Sequence, residues 1–359
     1  MAKILILLSL LLSLRAPATL AEAQRIQRGY ELASEKWVLE MKLATTPQAR
    51  QELQMKQPKP TPTAIELWRA IGTSLQEDWT IPHAAFFLNI SRNLTTTDQQ
   101  GIPQVAFVKE RQLILKTFAE HHLAKPDILP FCIALIDSQD PQAISLLEKI
   151  QAENPDKSIQ GVAALGAALL LKPLGDDPEV MKKRLTYLRS AIIHSADQKI
   201  GQTSVADIVT DELYVIKYLS KGRDAPDLSG TDVAGRPVKL SDLRGKIVVL
   251  LFWDARMAET DKIIQITNQL VTKFRGKAVA VLGITSEPIE RIRSLQADDS
   301  IMWNNIHDST DKLAWEYRIT FRPAVFILDG VGKIQYTGLP GSFVEITVDA
   351  LLVGEAPKK

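Results

Sequence analysis

The sequence predicts two domains: an all-α domain at residues 24–220 and an α/β domain at residues 221–359. Three observations lead to this prediction. The chain has 359 residues and is 45% hydrophobic, which is enough for two packed cores of ordinary size. Apolar residues recur at helical spacing up to about Leu219. Continuous apolar runs of strand length, rich in β-branched residues, begin only after Gly222.

The first 23 residues have the layout of a secretory signal peptide. Lys3 gives a positive start, residues 4–14 (ILILLSLLLSL) form an apolar run, and Ala21-Glu22-Ala23 is similar to a cleavage site. We therefore expect export to the periplasm or the cell exterior, cleavage near Ala23, and a soluble mature protein. The apolar run is short for a bilayer, and an uncleaved anchor remains the alternative.

The predicted helical domain contains a repeated local pattern. Asp140-Pro141, Asn154-Pro155 and Asp177-Pro178 each place a capping side chain before a proline, as at the start of a helix. Each pair precedes a run of apolar residues with helical periodicity. The pattern favours stacked helical hairpins of the HEAT or TPR kind, and an irregular helical domain is the equally supported alternative.

The α/β prediction depends on runs of apolar residues after Gly222. The predicted elements are a strand (247–252), a helix (258–274), two strands (278–284 and 324–328), a hairpin strand (333–337) and a final helix (344–352). The first three strands are apolar throughout, which is typical of strands covered on both faces of a sheet. The first strand, the helix and the second strand together predict a βαβ unit with a right-handed crossover.

Several motifs of the second domain resemble the thioredoxin-like redoxins of the TlpA/ResA and AhpC/TSA type. Residues 222–227 (GRDAPD) and 235–246 (GRPVKLSDLRGK), followed by a strand and Phe252-Trp253, match the opening of these proteins. Residues 329–334 (DGVGKI) match their hairpin, and Arg322-Pro323 stands where their fold has a cis-proline. The resemblance implies a thioredoxin-like fold and, by family, a thiol-disulfide oxidoreductase or a peroxidase-like redoxin.

The redox cysteines of that family are missing from this chain. The resemblance places them at Met257 and Thr260, whereas the single cysteine of the sequence is Cys132. A thioether forms no thiolate and a threonine cannot resolve a mixed disulfide, so we interpret the active site as degenerate and assign no catalytic residue. The apolar stretch around Cys132 predicts a buried packing residue, with an interchain disulfide or a redox role as the alternative.

We therefore expect the second domain to bind a protein or an extended peptide without redox chemistry. In this fold the loop before the cis-proline offers main-chain groups to an extended peptide, a form of β-augmentation. The candidate binding residues are Trp253, Asp254, Arg256, Met257, Arg322 and Pro323. We expect Arg322 to be exposed, so that its charge favours an acidic ligand. A purely structural protein of the cell envelope is a further alternative.

Composition argues against several other classes of protein. Lys and Arg number 43 against 42 Asp and Glu, so the basic excess of a nucleic-acid-binding protein is missing and we expect no such partner. One cysteine excludes an intrachain disulfide and a zinc site built on two or more cysteines. We expect neither a metal nor a cofactor. If the chain is an enzyme, the resemblance implies an oxidoreductase of the thioredoxin/redoxin superfamily.

Overall fold

The computed structural model describes residues 20–98, 100–175, 177–255 and 260–354. The chain forms two compact units, of which the first ends at Val209 and the second begins at Thr210. Residues 1–19 of the predicted signal segment lie outside the described residues. Ala21–Ala23, the predicted cleavage site, lie in the first turn of a helix, where Ala23 is buried. Within the described residues, no helix is both long enough and apolar enough to cross a membrane.

The first unit is mostly helical, which confirms the predicted all-α character. Its helices are α1 (Leu20–Leu43), α2 (Pro47–Met55), α3 (Pro60–Ile71), α4 (Ile81–Ser91), α5 (Val108–His121), α6 (Leu129–Ser138), α7 (Ala143–Glu153), α8 (Lys157–Leu171), α9 (Pro178–Ser195) and α10 (Val205–Tyr214). Two small antiparallel hairpins pair β1 (Thr95–Thr97) with β2 (Pro103–Val105) and β3 (Lys199–Ile200) with β4 (Thr203–Ser204). Assignment to a helical-repeat class stays a prediction.

The predicted helix starts are correct at one of the three proline pairs. Asp177 caps α9 by accepting a hydrogen bond from the Glu179 N–H (2.9 Å), and Pro178 occupies the first turn. Asp140 and Asn154 instead accept the backbone N–H two residues later (2.9 Å in both cases), and α7 and α8 begin three residues after them. These two side chains therefore close a turn before the helix, and for α8 a different residue provides the cap.

The second unit is built around a five-stranded sheet. Its strands are β7 (Ile247–Phe252), β8 (Val279–Thr285), β9 (Asn304–His307), β10 (Ala324–Leu328) and β11 (Ile334–Gly338), in the spatial order β11-β10-β7-β8-β9. A separate hairpin joins β5 (Ser229–Thr231) to β6 (Pro237–Lys239). The helices are α11 (Thr260–Lys273), α12 (Ile289–Ala297), α13 (Lys312–Glu316) and α14 (Ser342–Gly354). Strands β7, β8 and β9 are parallel, and β10 is antiparallel to both of its neighbours.

Both faces of the sheet are covered, as the continuous apolar runs predict. All six residues of β7 are buried, and alternate side chains enter two different cores. Leu250 and Phe252 pack with Tyr317 on one face, whereas Leu251 packs with Leu270 of α11 on the other. The α/β thioredoxin-like class predicted for this unit is thereby confirmed, and β9 is the one strand of the sheet that the sequence did not predict.

The end of α10 belongs structurally to the second unit. Arg318 follows α13 and its guanidinium lies 4.1 Å from the centre of the Tyr214 ring. Its Nε also donates to Asp211 at 2.8 Å. These contacts join the end of α10 to the second unit, which begins at Thr210. The domain boundary at residue 221 stays a prediction.

The buried amide of Asn305 fixes the end of β7 from beneath. Its Oδ1 accepts hydrogen bonds from the indole N–H of Trp253 (2.8 Å) and of Trp303 (3.1 Å). Its Nδ2 donates to the Trp303 carbonyl at 3.0 Å. Gly283 of β8 leaves room for this group, because a Cβ there would lie 2.0 Å from Asn305 Oδ1.

We predict that Gly283→Ala destabilises the protein by about 1–3 kcal/mol, because the added methyl group overpacks a rigid buried cluster. Urea denaturation of the full chain followed by tryptophan fluorescence measures the change. Gly29→Ala is the matched control: no atom lies within 4 Å of its added Cβ in α1. That control should instead stabilise the helix by about 0.5–1 kcal/mol. Equal stability of Gly283→Ala and the unmodified chain would contradict the role given to Gly283.

Candidate functional site

The pairing of β10 with β7 brings residues that are far apart in the sequence into one site. Ala324 lies opposite Phe252, so Pro323 lies opposite Trp253 at the end of β7. The Arg322–Pro323 peptide bond is cis, as the resemblance implies. The chain leaving β7 and the loop entering β10 therefore meet at this edge of the sheet, before the start of α11 at Thr260.

Trp253 supports the site from below and does not line a groove. Its side chain is 1% exposed and packs edge to face on Trp303, with 5.8 Å between the ring centres. Asn305 accepts its indole N–H. We predicted Trp253 as a binding residue, but its burial assigns it a positioning role, in which it fixes the point where the chain leaves the sheet.

Asp254 faces a second carboxyl group at the top of β8. The side chain of Glu287 is 1% exposed and forms a hydrogen bond with the Asp254 side chain. Glu287 also accepts the Ala255 N–H at 3.2 Å, and Arg291 lies 3.8 Å away. Burial raises the pKa of Glu287, and the hydrogen bond and charge of Asp254 raise it further. The two carboxyl groups can thus share a proton at the start of the loop.

The degenerate cysteine positions differ in what the structure describes. Met257 and Arg256 lie outside the described residues, so their predicted roles stay predictions. Thr260, the first residue of α11, is 8% exposed, and its Oγ1 donates to the Asp254 carbonyl at 3.1 Å. The hydroxyl therefore ties the helix start back to the end of β7. A threonine here performs a structural task that a resolving thiol would not.

Arg322 is largely enclosed and paired, contrary to the exposed residue that we predicted. Its guanidinium forms an ion pair with Asp311 (2.5 Å), and its side chain is 17% exposed. Its Nε is buried and has no hydrogen-bond partner among the residues that the structure describes. Asp311 neutralises the charge that we expected to attract an acidic ligand, so Arg322 joins the loop to the start of α13. Pro323 is half-buried beside it.

An exposed aromatic side chain, that of Phe321, comes directly before Arg322 and Pro323 in the chain. Phe321 is 67% exposed, and Leu339, which follows the β11 residue paired with Val325, is 57% exposed. Neither residue was among the predicted site residues, because an isolated apolar residue in a loop carries no periodic signal. Glu287 was missed as well, although carboxyl ends of parallel strands meet at one edge and could have indicated it. Asn305 has no sequence signal of its own.

The chemistry available at this edge is that of carboxyl groups, hydroxyls and main-chain amides. No cysteine occurs between residues 210 and 359, so a thiolate cannot form there. The described residues contain no group of three His, Cys, Asp or Glu side chains arranged to hold a metal. The site lacks the groups for thiol-disulfide exchange, and the groups that it does contain can donate and accept hydrogen bonds.

We predict that Glu287→Gln raises the melting temperature at pH 7 and leaves it unchanged near pH 4. The folded-state pKa of Glu287 is raised, so its stabilising effect is complete below its ordinary value of 4.5 and is lost as the pH rises. We expect a gain of about 2–4 °C at pH 7, the size that 1 kcal/mol produces in a domain of this length.

Calorimetry over a pH series measures this effect. Glu290→Gln, at an exposed position in the first turn of α12, is the control and should change nothing that depends on pH. An equal temperature shift for Glu287→Gln at pH 4 and pH 7 would show that the effect does not come from its ionisation.

Comparison with known proteins identifies the second unit. The model of the AhpC/TSA family matches residues 221–337. A thiol-disulfide oxidoreductase ResA of Bacillus cereus is 24% identical over 155 residues, which cover 43% of this chain and 87% of that protein. ResA of Geobacillus kaustophilus is 25% identical with the same coverage.

Solved structures include the thioredoxin domain of a thiol-disulfide oxidoreductase from Bacteroides vulgatus. It is 26% identical, with 37% of this chain and 98% of that chain covered, at a TM-score of 0.34. The family match and the ResA sequences, and not this structural similarity, identify the domain. Residues 221–337 are therefore a thioredoxin-like domain of the AhpC/TSA family, with ResA proteins among its relatives.

Proposed function

We propose that this chain is an exported protein whose redoxin domain binds an extended peptide or protein segment without redox chemistry. The observation that carries the proposal is a redoxin scaffold that lacks every cysteine. The cis-proline loop, the tryptophan at the end of β7 and the start of α11 are all present, whereas residues 210–359 contain no thiol. Export is inferred from the three-part layout of residues 1–23 alone.

Cys132 does not supply the missing thiol. It lies in α6 of the first unit with 0% of its surface exposed. Burial raises the pKa of its thiol to about 12, so the thiolate fraction at neutral pH is negligible. Burial also prevents a disulfide substrate from reaching it. These properties support the packing role that we predicted for Cys132.

The loop before β10 supplies the features that a peptide-binding edge needs. Phe321 lies two residues before Pro323, and Leu339 follows the neighbouring strand β11; both side chains are apolar and exposed. Scattered exposed residues need no explanation, but two beside a main-chain edge support binding of an apolar segment. Asp311 neutralises the charge of Arg322, so this residue no longer favours an acidic ligand at the cis-proline loop. Apolar side chains of the ligand would provide the specificity instead.

The alternative function is thiol-disulfide oxidoreductase, the activity named for the ResA relatives. The names of the relatives support this function, whereas the residues of this chain oppose it. Thiol-disulfide exchange requires an attacking thiolate and a resolving thiol. Met257 and Thr260 stand at those two positions. A measurement of reductase activity separates the two functions.

We predict that the purified protein reduces insulin with dithiothreitol no faster than the protein-free blank. No dithiol in the chain can cycle between oxidised and reduced states. The double variant Met257→Cys/Thr260→Cys should exceed the blank at least several-fold, since it restores a pair at the start of a helix. Turnover above the blank that survives Cys132→Ala in the unmodified chain would favour the oxidoreductase.

We also predict that Phe321→Ser weakens binding of an extended polypeptide at least fivefold. The probe is the fluorescently labelled, alkylated B chain of insulin, which contains no free thiol, and fluorescence anisotropy measures its affinity for the full chain. Val331→Ser is the matched control, because Val331 is 66% exposed in the turn at the opposite end of β10. Equal affinities of all three proteins for this probe would overturn the proposed site.

A further inference from the structure

The edge of β8 is open along its first half. β8 begins at Val279 and pairs with β7 from that residue onwards, whereas its pairing with β9 begins only at Leu282. Val279, Ala280 and Val281 are each partly exposed, unlike the four buried residues that complete the strand. The hairpin of β5 and β6 approaches β9 through a bridge between Asp232 and Ile306, and so does not cover this part of β8.

Two main-chain groups of this open edge point away from β7. The Ile247 N–H donates to the Ala278 carbonyl, so the main-chain groups of Ala278 face β7. Because successive residues of a strand direct their N–H and C=O groups to opposite sides, the Val279 carbonyl and the Val281 N–H face away from β7. Among the described residues, no hydrogen bond reaches the Val279 carbonyl or the Val281 N–H on that side. One acceptor and one donor with this spacing are what a single residue of a neighbouring strand requires.

The segment before β9 is held away from β8 by side chains of the helices. Asn268 of α11 donates to the Ser300 carbonyl (2.8 Å) and accepts the Met302 N–H (3.0 Å). Gln296 of α12 donates to the Trp303 carbonyl at 2.8 Å. The backbone of residues 300–303 is thus bound to helices, which leaves a gap between it and the first half of β8.

The gap is a groove of about 330 Å³ with an apolar floor and a positive rim. Leu270, Phe274 and Trp303 line it as buried side chains, and Val279, Val281 and Met302 are its more exposed apolar residues. Lys246 and Arg275 stand at the rim, both exposed, and neither has an ion-pair partner among the described residues. None of the residues lining the groove is acidic. The volume lies at the lower end of the range for ligand sites, which suits a short segment.

We propose that this groove binds an extended peptide segment that carries acidic side chains beside an apolar one. One peptide residue donates its N–H to the Val279 carbonyl and accepts the Val281 N–H, which extends the ladder of β8. An apolar side chain contacts Val281 and Met302, which are not buried, and flanking carboxylates pair with Lys246 and Arg275. A peptide backbone carries the donor and the acceptor at the spacing that both edge groups need, and the exposed cations favour negative charge.

This site is separate from the one at the cis-proline loop. β7 and β8 are parallel, with Ile247 opposite Val279 at one end and Phe252 opposite Ile284 at the other. The groove adjoins the first of these ends, and the cis-proline site follows the second. Five residues of strand at about 3.3 Å each separate them by roughly 17 Å. The inference therefore stands whether or not the proposed function at the cis-proline loop is correct.

The test is anisotropy titration of the full chain with a labelled, C-amidated peptide of three valines between two glutamates. We expect saturable binding of this peptide. The affinity should fall at least tenfold when lysines replace the glutamates, and at least tenfold when the central valine is N-methylated. The N-methyl group removes the backbone donor but keeps the charges. Hydrogen exchange at the Val281 amide should slow when the glutamate peptide is added.

Variants provide a charge-swap control. Lys246→Glu/Arg275→Glu should lose at least tenfold for the glutamate peptide and gain affinity for the lysine peptide. Lys239→Glu/Arg223→Glu, an equal charge change at exposed positions outside the groove, should leave the glutamate peptide's affinity unchanged. Equal binding of the glutamate, lysine and N-methylated peptides, or no effect of the Lys246 and Arg275 changes, would overturn the proposal.

Discussion

A single buried amide, that of Asn305, holds the end of β7 in place. Two indole N–H groups converge on its oxygen, and its own nitrogen donates back to the carbonyl of Trp303. A buried polar group left without a partner costs about 1–3 kcal/mol, so removing the amide would leave both indoles unsatisfied. Because Trp253 is the last residue before the chain turns away from the sheet, this network determines where the chain from Asp254 begins.

The same network links the two ends of the sheet. Trp303 contacts Asn305 on one side and forms part of the groove floor beside β8 on the other. Its carbonyl accepts hydrogen bonds from both Asn305 and Gln296, so it is held by β9 and α12 together. The side chains that bind residues 300–305 therefore have two effects: they delay the start of β9, and they fix the end of β7 through Asn305.

Much of the second unit could be predicted from the sequence, because its central strands are apolar throughout. The bounds of β7 and β10 match the predicted residues 247–252 and 324–328, and the resemblance located the cis-proline. β9 was not predicted, since Asn304–His307 contains only one strongly apolar residue and reads as a loop. A short edge strand takes its conformation from its neighbour more than from its own composition.

The parts of the site that escaped prediction depend on contacts across long stretches of chain. Glu287 meets Asp254 only because β7 and β8 are parallel and end together. Arg322 pairs with Asp311 across eleven residues of chain, and neither residue has a pattern that indicates the pair. Helix starts at Asp140 and Asn154 failed for a local reason, because an Asn or Asp before proline closes a turn as readily as it caps a helix.

The carboxyl pair also affects the chemistry of any thiol introduced near it. A cysteine introduced at position 260 would stand where Thr260 Oγ1 contacts the Asp254 carbonyl, close to the hydrogen-bonded carboxyl groups of Asp254 and Glu287. Negative charge near a thiol raises its pKa and lowers the thiolate fraction at neutral pH. In a cysteine pair introduced at positions 257 and 260, the resolving thiol at 260 would thus have a smaller thiolate fraction than in the same pair beside uncharged residues. The carboxyl pair therefore sets the electrostatic surroundings of any thiol introduced at position 260, in addition to its part in holding the start of the loop.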